Sequence, residues 1–336
     1  MKPLSALQSI QKTLEWWSQP RLTILFFLLT ALCAFIVQRW SIAATWMMLL
    51  PFSLLVISLV ATIATNRRFR TDTPLLVLHL CLLALVILFL IGRLTYLEGR
   101  VTLTEDVAFS GSLDFENRGP LHRGSVERVR FMNAGLTEVY PQPGAYRHTY
   151  NQVIWWDGAG VPQSAEIGDD QPLLMNGYRI YTSRQRGVSP VLKWRPNDDS
   201  PPILGSLQLG QTMGNLFDGA ASVPLPNGLS AWVGFESKPG AAPKQTGEQT
   251  NMGVYSTDHV LLVRIGEARH EMRIGDSIDI PGGRLSYEKV LTWMGYRVAN
   301  DPTIPWIIAT IAIGVGSLVW FYVIRVFSRP LLKDST

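Results

Sequence analysis

Four stretches of this chain run for 17 or more positions without Asp, Glu, Lys or Arg: 22–38, 44–64, 75–92 and 304–324. Each is about as long as an α-helix needs to cross the hydrocarbon core of a bilayer. Three fall close together and the fourth stands alone near the end, a 3+1 pattern of transmembrane helices. Between the third and fourth the periodicity changes. Residues 177–183 (GYRIYTS) alternate apolar with polar positions, and an Asn176-Gly177 pair ahead of them is a hairpin-turn signal. Residues 259–266 and 270–275 read as a hairpin turning at 267–269. Residues 278–280 and 284–290 flank a Pro281-Gly282-Gly283 turn. This texture predicts a mainly antiparallel β domain, a sandwich or an open barrel. Two polar stretches, 196–202 and 237–253, read as loops, the second nearly devoid of apolar residues and expected to be mobile.

The pattern divides the chain into five parts. Residues 1–21 place Leu4, Leu7, Ile10, Leu14 and Trp17 at helical spacing, a helix expected to lie along a membrane face. Residues 22–97 hold three transmembrane helices with a basic loop at 65–74. Residues 98–303 form the β-rich domain, 304–324 the fourth helix, and 325–336 a short tail.

Charge orients these parts. Lys2, Lys12, Arg21, Arg67, Arg68, Arg70, Arg325, Arg329 and Lys333 fall on one side if both termini are cytoplasmic, as the positive-inside rule favours. The β domain is then extracytoplasmic. The formal net charge of +4 hides a division: 98–301 holds 19 Lys and Arg against 23 Asp and Glu, and the remainder holds 11 against 3. The basic excess is therefore a topology signal, and it excludes a nucleic-acid surface. The parts assigned to the cytoplasm are too short for a kinase, nucleotide-binding or DNA-binding module. No P-loop, H-E-x-x-H or G-x-S-x-G motif occurs.

Candidate chemistry concentrates in one residue. His79 is the only His inside the four apolar stretches, and a polar ring in hydrocarbon is costly unless partnered. It lies roughly 7–8 Å into the third stretch, at 1.5 Å per residue beyond Pro74. Two readings are open. The ring bonds a backbone carbonyl or a Ser/Thr of a neighbouring helix, or it is a neutral axial ligand to haem iron. Leu75, Leu76, Leu82, Leu83 and Val86 surround it on the helix face and suit either. The two cysteines, Cys33 and Cys81, lie in the first and third stretches and read as small apolar fillers; with none in 98–303, the β domain cannot act as a dithiol reductant. His122, His148, His259 and His270 lack ligand spacing and read as surface histidines. Trp155-Trp156-Asp157-Gly158 reads as aromatics followed by a turn. Arg93 is expected to snorkel to headgroups. The small faces at Gly314 and Gly316 could seat a partner or another helix of this chain.

Three segments resemble the ResB/CcsB family, the membrane subunit of system II cytochrome c biogenesis: LEWWSQPRLTILFFLL at 14–29, LHLCLLALVILFLIGRLTYLEGRVTLTE at 78–105, and LTWMGYRVANDPTIPWIIATIAIGVG at 291–316. A fourth, QPLLMNGYRIYTSRQRG at 171–187, is similar to the family's Pro-Leu…Gly-Tyr…Tyr-x-Ser segment. The layout of three helices, a large exported β domain and a last helix is similar as well. The member would be a shortened one, since 39–43 stands where the family has a longer link. The resemblance implies location in the bacterial inner membrane and work with a CcsA-like, tryptophan-rich partner. Together they would take haem b across the membrane and attach it to Cys-x-x-Cys-His sites of exported apocytochromes c. It also implies that His79 is one axial ligand, the partner supplying the other. The chain alone would be a non-catalytic or co-catalytic subunit of a holocytochrome c synthase. The alternatives are an assembly scaffold with a structural His79, or a membrane-anchored solute-binding or sensory β domain.

Overall fold

The computed structural model describes residues 3–40, 45–139, 148–198, 200–211, 219–237, 249–251 and 259–327. Most of the expected mobile loop 237–253, part of the link at 39–43 and most of the tail 325–336 lie outside the described residues. Two compact units are present. One comprises Met1–Leu97, Asn117–Arg123 and Asp301–Thr336, and the other Glu98–Glu116 and Gly124–Asn300.

The first unit is helical. It contains α1 (Pro3–Trp17), α2 (Pro20–Trp40), α3 (Thr45–Thr65), a 3-10 turn at Arg67–Arg70, α4 (Thr73–Thr95) and α5 (Ile304–Phe327). Among the described residues α2, α3, α4 and α5 are long and apolar enough to cross a membrane. α1 is the helix its apolar spacing requires, and it is tied down at its end. The buried Ser58 hydroxyl donates to Trp17 O (3.1 Å) and is 2.7 Å from Thr23 Oγ1, while the Trp17 ring packs on Phe26. Because Ser58 donates to a carbonyl, Thr23 supplies the proton of the second bond. Phe26, Leu55, Leu59 and Val86 then close an apolar cluster joining α2, α3 and α4.

The segment 117–123 groups with the helical unit. The last carbonyls of a helix have no intrahelical partners, and this segment meets them at the end of α4. The amides of Leu121 and Gly119 donate to Leu94 O (2.8 Å) and Tyr96 O (2.9 Å), and His122 Nδ1 donates to Thr95 O (2.8 Å). Gly119 is demanded by that approach, since a Cβ there would lie 2.3 Å from Leu94 O.

The second unit is β. In chain order the strands, the first two of which begin or end in the helical unit, are β1 (Leu97–Thr104), β2 (Phe115–Arg118), β3 (Met132–Val139), β4 (His148–Trp156), β5 (Pro162–Ile167), β6 (Leu173–Met175), β7 (Tyr178–Pro196) and β8 (Ile203–Ser206). They continue with β9 (Leu209–Gln211), β10 (Ala220–Pro224), β11 (Ser230–Ser237), β12 (Gln249–Asn251), β13 (His259–Ile265), β14 (Ala268–Met272), β15 (Ser277–Ile280) and β16 (Gly283–Asn300). One sheet runs β2-β1-β16-β7-β6, with β15 also on β16 and β8 and β9 also on β7; the others run β10-β11-β13-β14 and β12-β3-β4-β5.

The antiparallel ribbon of β7 and β16 is the spine. Its first part in β7 pairs Arg179–Thr182 with the end of β16. Its second pairs 186–196 with 283–294, and between the two parts residues 183–185 bulge opposite Gly295. The second part and β10-β11-β13-β14 enclose one core, with Trp194, Leu209, Val233, Leu261, Met272 and Tyr287 buried. At the other part, Phe131 of the segment leading into β3 packs edge-on against Tyr296 (5.2 Å). The Tyr296 hydroxyl donates to Asn151 Oδ1 (2.5 Å). The Asn151 amide donates to Asn133 Oδ1 (2.9 Å) and Gly135 O (2.7 Å), and Asn133 Nδ2 donates to Leu103 O (2.9 Å). Burial pushes the Tyr296 phenol well above its ordinary pKa and keeps it a donor. Both four-stranded sheets therefore meet the one long ribbon, in a mainly antiparallel β region.

Turns follow the sequence closely. Asn176 (φ 51°) and Gly177 (φ 83°) make the type I′ hairpin between β6 and β7. Pro281-Gly282 joins β15 to β16 with Gly282 at φ 88°. The β13–β14 hairpin turns at Gly266-Glu267, one residue earlier than expected.

Candidate functional site

His79 lies on the second turn of α4, whose opening Pro74 suits the first turn of a helix. Its side chain is half-buried. Nδ1 is 2.9 Å from Leu75 O, the carbonyl one turn back on the same helix. A carbonyl only accepts, so Nδ1 carries the proton, and in the neutral ring Nε2 keeps its lone pair. The carbonyl partner was one of the two open readings, but it comes from the ring's own helix and not from a neighbour. Among the described residues Nε2 has no hydrogen-bond partner. The Phe69 ring lies against the imidazole with centroids 4.5 Å apart at 49°.

Phe69 is the residue that sequence reasoning missed. It is 4% exposed inside the otherwise basic turn Arg67–Arg70. The signal was present: one aromatic flanked on both sides by Arg in a short loop must bury itself somewhere. Leu83 and Val86, one and two turns beyond His79, face α2 and α3 in the apolar cluster. His79 therefore stands at the head of an apolar stripe, its ring fixed by one hydrogen bond and one aromatic contact.

The other face of α4 takes α5. A Cβ on Gly314 would lie 3.3 Å from Cys81 Cβ, and the Ser317 hydroxyl donates to Pro74 O (2.5 Å). Gly314 thus seats another helix of this chain, whereas Gly316 faces open space. Cys81 is buried as a small filler; Cys33 is partly exposed.

Other candidates scatter. Trp155 is half-buried and Trp156 51% exposed at the end of β4. Asp157 closes the following turn by accepting from the amides of Ala159 and Val161, each at 2.9 Å. His259 corrects its surface assignment: it is 6% exposed in β13, edge-on to Phe235 at 6.4 Å. The alternation of its strand turns it inward. His122 caps α4, and His270 lies partly exposed in β14. The His148 side chain is outside the described residues. The Arg93 guanidinium lies over the Tyr96 ring at 5.7 Å. Among the described residues no three His, Cys, Asp or Glu side chains converge.

A haem fits the donor set in one specific way. His79 offers one imidazole nitrogen, already in the tautomer that ligates, beside an apolar stripe that suits a macrocycle. A second donor, if the group took one, would have to come from outside the described residues. Compared with models of protein families and with curated proteins, the chain matches none.

Proposed function

We propose that this chain is a membrane subunit of cytochrome c biogenesis that binds haem b through His79 and shares it with a CcsA-like, tryptophan-rich partner. Its four apolar helices span the bacterial inner membrane with both termini cytoplasmic. The β domain lies outside, available to apocytochromes c or to the partner. The observation that carries this reading is the His79 ring: Nδ1–H is committed to Leu75 O, and Nε2 makes no hydrogen bond among the described residues. A hydrogen bond from the second ring nitrogen orients a ligating His and raises its basicity. Phe69 restricts the ring further. A bound haem would supply the iron that His79 would hold, and the apolar residues of α4 would shield it; bond formation at exported thiols would belong to the complex.

A scaffold in which His79 is purely structural is the second reading, favoured by the same Leu75 and Phe69 contacts, which stabilise the ring without any ligand. One experiment separates them. Full-length protein purified with its partner should show a b-type Soret band that largely disappears in His79→Ala. A spectrum unchanged by that substitution leaves only the scaffold. Deletion of the gene should abolish haem-stained exported cytochromes c; their persistence would favour the solute-binding or sensory alternative.

A further inference from the structure

We propose that Arg67 and Arg68 hold the carboxylate arms of the tetrapyrrole at His79, so that the basic turn before α4 is the anionic end of the site; this rests on the haem reading above. The turn is built to present these side chains. Asn66 Oδ1 accepts from the Arg68 amide at 3.0 Å, and Phe69 N donates to Asn66 O at 3.3 Å. Arg68 O in turn accepts from Thr71 N (3.2 Å), Thr71 Oγ1 (3.0 Å) and Asp72 N (2.9 Å). The Arg68 backbone is therefore fixed at both its donor and its acceptor.

Successive residues of a 3-10 turn point about 120° apart. Phe69 is buried against the imidazole, so its neighbours are directed elsewhere, and Arg67 and Arg68 are exposed. Adjacent Cα atoms are about 3.8 Å apart, which starts the Arg68 side chain one residue from the cover of His79. Neither guanidinium has an ion pair among the described residues. The described acids of the helical unit are Glu15, Asp72 and Asp301. Of these Asp72 is nearest in the chain, and it meets Arg68 through its amide.

A ligand that gives a metal to one imidazole, an apolar plane to a leucine-rich stripe and two carboxylates to two guanidiniums satisfies every group on this end of α4. Guanidinium–carboxylate contacts are charge-assisted and geometrically specific. A phospholipid headgroup shares the anionic-oxygen chemistry, and the test separates the two sources.

The full chain together with its partner, in nanodiscs of phosphatidylcholine or of phosphatidylglycerol, is titrated with ferric haem and with its dimethyl ester, in which both carboxylates are masked. Binding is read from the Soret band. Arg67→Gln/Arg68→Gln should weaken haem binding about tenfold in both lipids, leave the ester unchanged and leave the band position unchanged. Arg93→Gln, at the other end of α4, should have no effect. Equal affinities for wild type and double variant, or equal losses for haem and ester, would overturn the carboxylate assignment. A loss confined to phosphatidylglycerol would assign the arginines to headgroups and overturn it too. Absence of any His79-dependent band in wild type would instead bring down the haem reading, and this proposal with it.

Discussion

The two units sort the same residue types in opposite directions. In the helical unit Ile24, Phe35, Trp306 and Ile308 expose 61%, 62%, 67% and 62% of their surface, whereas Val233, Leu261, Met272 and Val298 of the β unit expose 0%. Burial of apolar area, at roughly 25 cal/mol per Å², drives the β unit. It cannot hold together helices that leave most of their apolar surface outward. Those helices rely on close approach and a few hydrogen bonds: Gly314 on Cys81, Ser317 to Pro74 O, Ser58 to Trp17 O. On the membrane reading this is expected, since lipid is as apolar as leucine and offers helices no hydrophobic reason to associate. Polar groups consequently do different work in the two places. In the helices they make single ties, and in the β unit they form a connected chain inside an apolar core.

That contrast is most easily broken at Asn151. Asn151→Ala strands the buried Tyr296 hydroxyl and the partly buried Gly135 O and removes one bond from Asn133. Each stranded group costs about 1–3 kcal/mol, so the β unit should lose about 3–5 kcal/mol. Denaturant unfolding of the detergent-solubilised chain, followed by tyrosine and tryptophan emission, measures it. A loss below about 1 kcal/mol would mean that the network is dispensable.

The helical unit should respond to size instead of polarity. Gly314→Leu drives a side chain into Cys81 and should cost about 1–3 kcal/mol, while Gly316→Leu, with open space at its Cβ, should stay within about 0.5 kcal/mol. Thermal unfolding separates the pair. Maleimide labelling of Cys81 should also accelerate in the first variant and not in the second. Equal effects from both glycines would remove the distinction between the face that seats α4 and the outward one.

What the sequence made legible follows the same division. The helices were written in unbroken apolar runs, and their ends moved by only a few residues because such runs have one plausible conformation in each register. The hairpin turns were legible through Asn176-Gly177 and Pro281-Gly282, where backbone conformation selects the residue. The long ribbon was not. Pro190 reads as a strand breaker, yet it lies inside β7. A strand residue's N–H and C=O point to the same side, and Pro190 O accepts from Leu207 N in the gap between β8 and β9. Its missing N–H therefore deprives no ladder bond. The run 186–192 is buried throughout, which erased the alternation that a one-sided strand would show. At the candidate site His79 was legible as the one imidazole inside an apolar run. Its Leu75 bond and Phe69 cover were not, because a back-bond to the same helix leaves no trace in composition.

The smallest effect belongs to the β4–β5 hairpin, where a charge stabilises a turn at the surface. The Asp157 carboxyl is held below its ordinary pKa, chiefly by the Val161 amide, with desolvation opposing it and the Ala159 amide and the Gln163 side chain adding to it. A carboxyl whose folded pKa is depressed contributes stability that is complete above its unfolded value of about 3.9. That contribution is lost as pH falls through the lower folded value. The hairpin tip should therefore loosen only in acid, beneath about pH 3.9. Hydrogen exchange over residues 157–161, read by mass spectrometry and corrected for intrinsic rates, should show protection at pH 6 that weakens toward pH 3. Asp157→Asn, which keeps an acceptor but no titrating group, should flatten that dependence. A wild-type tip equally protected at both pH values would mean that strand pairing from Trp156↔Pro162 inward holds the turn without its charge. The hairpin would then follow the rule of its own core, where packing sets stability, and the carboxylate would be incidental to it.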